Sequence, residues 1–95
     1  MTLPRKLTKE EAGVIRKELV QLEERIRLKI RRITLENQKL PYERLAKGRR
    51  LKELVLLSIQ FLDEKRMVDL GLCIRELRHL GVEIIEFTKL EKSTK

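Results

Sequence analysis

Ninety-five residues with 41% hydrophobic content can build one small domain around a modest aliphatic core, not a multidomain machine. Charged residues reach 40%, and 23 Lys/Arg against 15 Asp/Glu leave a net charge of +8. A single cysteine, Cys73, excludes an internal disulfide framework, and the longest apolar run, Leu54–Leu57, is far too short to span a membrane.

Met1–Leu7 is a short lead-in without the apolar core of a signal segment, so a cytoplasmic protein is expected. Thr8 and Glu11 have the spacing of a capping box, with Leu7 and Ala12 at the staple positions. A helix should begin near Lys9. Its apolar positions Ala12, Ile15, Leu19, Leu22, Ile26, Ile30 and Ile33 form one stripe, unbroken until Asn37–Pro41. That predicts a first helix of about 28 residues, about 42 Å long at 1.5 Å per residue. Leu28 and Leu35 form a weaker stripe on its back, which suggests contacts on both sides.

Pro41 suits the first turn of a second helix, expected from Tyr42 to about Glu64. Its first half is cationic and contains Gly48, which can loosen the helix or admit a close neighbour. Its second half, Leu54–Leu62, is apolar on nearly every side, the pattern of a helix that is buried or covered by a partner. Asp63–Arg66 reads as a polar joint. Asp69 is a candidate cap for a third helix, whose stripe is Leu70, Cys73, Ile74, Leu77 and Leu80; Gly81 should stop it. Val82–Thr88 is rich in branched and aromatic residues, which favours a short strand over a continued helix. A polar tail follows from Glu91. The expected fold is therefore all-α or nearly so: a single domain over 1–95, with 1–7 and 91–95 as flexible ends. A long antiparallel helical hairpin carries a third packed helix and a short C-terminal β-strand.

Residues 25–52 carry eleven Lys/Arg and two acids, a net +9, while the rest of the chain nets −1. Ordinary solvated faces interleave both signs; this segment does not. Two helices joined by a short loop lie antiparallel, so the segment becomes the tip of a hairpin. The expected anion-binding residues are Arg27, Arg31, Arg32, Lys39, Arg44, Lys47, Arg49, Arg50 and Lys52, together with the N-terminus of the second helix. Arginine's planar fork matches phosphate oxygens, and Tyr42 is the sole aromatic nearby, so backbone contacts are expected rather than a base-stacking platform.

Other chemistries find little support. His79 is the only histidine, no Cys/His cluster has metal-ligand spacing, and Ala46–Arg50 has one glycine where a phosphate loop needs several. A winged-helix reading of Arg75–Ile85 lacks the preceding helix and turn. A membrane-surface helix would carry Trp or Phe, and the first helix has neither. The expectation is a non-enzymatic nucleic-acid-binding accessory protein without metal, cofactor or small-molecule substrate. It would work inside a replication, repair, transcription or ribosomal assembly. Leu28, Leu35, Leu56 and Ile59 are the expected interface with a protein partner or a second copy. The alternative is an interaction module whose cationic tip grips an acidic protein. Abundant Glu, Lys and Arg beside a single Asn, Asn37, also give the chain a thermophile-like composition.

Overall fold

The computed structural model describes residues 7–36 and 42–93, and the side chains of 7–32 and 45–92. The first helix, α1 (Lys9–Glu36), starts where its capping box places it. The Glu11 amide donates to the Thr8 hydroxyl at 3.1 Å, and the Thr8 amide donates back to the Glu11 carboxylate at 2.9 Å. Ile15 and Leu19 are fully buried, and Leu22 and Ile26 pack beside them. Toward Ile30 the core thins out.

The second helix, α2 (Tyr42–Asp63), is the central element, with α1 on one side and α3 (Met67–His79) on the other. That position explains its all-round apolarity. Leu54, Val55 and Leu62 are buried, while Leu51, Leu57, Ile59 and Phe61 pack partly against the core. Only Leu56 among these leucines stands largely in solvent, 47% exposed. The apolar excess of α2 is thus absorbed within the chain. Buried Ser58 satisfies its hydroxyl on the Leu54 carbonyl at 2.7 Å.

The α2–α3 joint is tighter than its polar sequence suggests. Lys65 adopts φ 60°, the Lys65 amide donates to the Leu62 carbonyl, and the Arg66 amide to that of Phe61. This is a Schellman closure built on lysine instead of glycine. It lets α3 start at Met67, with Arg66 as its N-cap residue. Asp69 is therefore not the cap. It lies inside the first turn, paired to Arg66 at 2.7 Å. A second Schellman closure ends α3: Gly81 has φ 87°, its amide donates to Arg78, and Val82 donates to Leu77.

The chain after Gly81 corrects the strand expectation. Residues 82–84 are an irregular link, and Ile85–Ser93 is a fourth helix, α4. Ile84 and Phe87 are buried in the main core. The Glu18 carboxylate accepts from the amides of Ile85 and Glu86 at 2.8 and 2.9 Å, capping α4 from α1. Arg78 of α3 donates to Thr88 at 3.0 Å and pairs with Glu91, so the expected tail from Glu91 is instead the last turn of α4. Burial and tertiary hydrogen bonds outweigh a local strand propensity of this size. Among the described residues there is no strand, and no helix is long and apolar enough to cross a membrane.

Candidate nucleic-acid interface

Two contacts fix how α1 and α2 run past each other. An added Cβ at Gly48 would stand 3.1 Å from Cγ1 of Ile30, and Arg16 meets Asp63 at 3.0 Å. The helices are antiparallel, with Ile30 level with Gly48 and Arg16 level with Asp63. Gly48 therefore serves the close approach of α1 to α2. It also follows that Arg27 lies level with Leu51, and Arg31 with Lys47.

Which side each cation takes follows from about 100° of rotation per helical residue. Arg27 and Arg31 stand on the side of α1 that carries Arg16. Arg49 and Lys52 stand on the side of α2 that carries Asp63. These four cations share one flank of the hairpin, away from α3 and α4, and lie at nearly one level along it. The side chains of Arg27, Arg31 and Arg49 are exposed, and that of Lys52 is half-buried. Glu53, one turn beyond Arg49, is engaged by Arg50 at 3.2 Å.

The other expected residues go elsewhere. Arg50 turns toward α3 and donates to Glu76 at 2.6 Å, a hydrogen bond that raises its pKa above the ordinary value. Arg32 stands on the Arg25 side of α1. Lys47 points to the α3 side of α2, away from Arg49. Lys39 and the side chain of Arg44 lie outside the described residues. The cationic segment is therefore split between two flanks.

The second flank holds two cations that sequence reasoning passed over, Arg25 and Lys29. They stand one turn apart on the Glu18 side of α1. With Lys47 they rim a groove of about 630 Å³ whose apolar walls are Leu22, Ile26, Ile30, Leu51, Leu80 and Val82. The i, i+4 spacing of Arg25 and Lys29 beside the Ile26/Ile30 stripe was visible in the sequence. The gap between α1 and the end of α3, which opens the groove, was not.

Most described cations of this part of the hairpin are unpaired. Among the described residues, Arg25, Arg27, Lys29, Arg31, Lys47, Arg49 and Lys52 make no ion pair. Farther from the hairpin tip, Arg16, Arg66, Arg78 and Lys89 have carboxylate partners, while Lys9, Lys17, Lys65, Arg75 and Lys92, spread along the described chain, have none.

The residues of the expected apolar interface take different positions. Leu28 is 54% exposed on the back of α1, Leu56 lies on the outer flank of α2, and Ile59 packs partly against the core. The side chain of Leu35 lies outside the described residues. Burial pushes the Cys73 thiol above its ordinary pKa, against the opposing hydrogen bond with Ser58, so it stays protonated. Among the described residues no group of His, Cys, Asp and Glu could hold a metal ion.

No family model, curated protein or solved structure matches this chain.

Proposed function

We propose that this is a non-enzymatic nucleic-acid-binding protein that holds a phosphate backbone along the outer flank of the α1–α2 hairpin. The supporting observation is that Arg27, Arg31, Arg49 and Lys52 share one flank and one level, with no carboxylate neutralising any of them. Unpaired like charges held close together cost stability until a counter-charge arrives, and a polyanion supplies several at once. Three of the four are arginines, whose forks suit phosphate oxygens. Among the described side chains this flank has no aromatic residue on which a base could stack, so contacts to the backbone dominate and sequence preference is weak. Membership of a larger DNA- or RNA-processing assembly remains part of this reading. Its support no longer includes the apolarity of α2 or a free strand at residues 82–88, since α2 is packed on both sides and residues 85–93 are helical.

The test is the salt dependence of binding to a random-sequence duplex, followed by fluorescence anisotropy. Four neutralised phosphates give a slope of log K against log [salt] of about −3.6. Replacing Arg27 and Arg31 by Ala should flatten it by about 2 and weaken all sequences alike. Arg50→Ala, which removes a side chain already committed to Glu76, should change the slope much less. Absence of binding to duplex or single strands at low salt would reject the proposal and favour an acidic protein ligand.

A further inference from the structure

The groove on the opposite flank is built differently from the outer flank, and this inference goes beyond the nucleic-acid reading. Its floor is aliphatic, with Ile26, Leu51 and Val82 only partly buried, and its rims are Arg25 and Lys29 on one side and Lys47 on the other. None of the described residues lining it carries a negative charge. Glu18, on the same side of α1, is engaged by the α4 amides, and Glu83, next to Val82, does not line the groove. A phosphate backbone suits such a floor poorly, because desolvating an anion against aliphatic groups is costly without compensating donors.

The groove lies where α1 and α3 stand apart on α2. Ile26 and Ile30 of α1 form one wall, Leu51 of α2 the floor, and Leu80 and Val82, on either side of the closure at Gly81, the other wall. We infer that it receives an amphipathic acidic helix from a partner protein, laid between α1 and the end of α3. The partner's apolar stripe would face Ile26, Leu51 and Val82, and its carboxylates on both sides of that stripe would meet Arg25, Lys29 and Lys47. Charge complementarity sets the occupant: a second copy of this chain also has a net +8 and would bring like charge to the cationic rims. The described groove runs from Leu22 to Ile30, about 13 Å along α1, so about two and a half turns of partner helix fill it. This is helix-in-groove recognition with charged rims giving orientation.

The probe is a fluorescein-labelled peptide of about 14 residues, with Leu at i, i+3, i+4 and i+7 and Glu on both flanks of that stripe. The wild-type chain should bind it, whereas a scrambled peptide and one with Ser for Leu should bind at least about tenfold more weakly. Amide shifts of the wild-type protein should move at Leu51 and Val82. The Arg25→Glu, Lys29→Glu, Lys47→Glu variant should lose the peptide and accept a version with Lys in place of Glu. The Arg27→Ala, Arg31→Ala variant, impaired for duplex, should keep the original peptide, which separates this proposal from the outer-flank one. Four results overturn it: equal binding of the Ser peptide, unchanged binding to the charge-reversed variant, stoichiometric competition by duplex, or self-association that buries Leu51 and Val82 and excludes the peptide.

Discussion

Among the described residues two hold turns in the left-handed region, and their chemistry differs. Gly81 has φ 87° and closes α3; Lys65 has φ 60° and closes α2. An added Cβ at Gly81 would meet no atom within 4 Å, so Gly81→Ala tests backbone strain alone. A left-handed L-residue costs about 1–2 kcal/mol. Gly81→Ala should therefore lower stability by about that much, an effect of roughly 4–8 °C in Tm for each kcal/mol at this chain length. Lys65 already bears the same strain. Lys65→Gly should stabilise the protein, by about 0.5–1 kcal/mol once the larger unfolded-state entropy of glycine is deducted. Urea melts of both variants check the pair. A stabilising Gly81→Ala, or a destabilising Lys65→Gly, would mean that side-chain contacts and not backbone conformation control these turns.

At the scale of elements, α1 was legible because each level of evidence agreed: the capping box, the staple and the 3–4 spacing of Ile15, Leu19, Leu22 and Ile26 all point to one helix. The end of α3 was legible because Gly81 announces it. Its start was not, because the closure at Lys65 uses a residue that carries no turn signal. The helix α4 was misread as a strand for a physical reason. Val82–Thr88 has local β propensity, but Ile84 at the entry to α4 and Phe87 in its first turn both reach the core, and Glu18 supplies a cap from 67 positions away. No local pattern contains that carboxylate. Glu18→Ala should consequently fray α4 and cost about 1 kcal/mol, the usual value of a lost N-cap. Amide exchange in Phe87–Lys92 should accelerate selectively, with Leu70–Leu77 of α3 unchanged. Unchanged exchange in α4 would show that Phe87 and the Arg78–Glu91 pair suffice to hold it.

Over the whole molecule, which extends 47 × 21 × 20 Å, charge and core are separated along the hairpin. The core fills the part between Ile15 and Leu62, and seven unpaired cations with few acids among them occupy the part from Arg25 to Lys52. That much was legible, since the charge excess is a property of one sequence segment and antiparallel packing gathers it. Its division into two flanks was legible only in part. Helical spacing separates Arg27 and Arg31 from Arg25 and Lys29, but the sequence does not say which pair faces α3. Nor does it reveal that Arg50 is withdrawn by Glu76, 26 residues away. The separation has a consequence for the protein without any ligand. Seven unpaired cations repel one another across distances close to the Debye length of about 10 Å at 0.1 M salt, so added salt should relieve them. The body is held by burial and by exposed ion pairs, each contributing about 1 kcal/mol or less, and salt weakens those pairs. Raising NaCl from about 0.02 to 0.3 M, a range over which the Debye length falls severalfold, should therefore slow amide exchange at Ile26–Ile30 and Gly48–Leu51. Leu70–Leu77 should be unaffected or slightly faster. Rates are to be normalised to unstructured peptides of the same sequence at each salt concentration. If exchange at the hairpin end were indifferent to salt, or faster, its cations would already be neutralised within the chain, and the electrostatic basis for an anionic partner on either flank would fall.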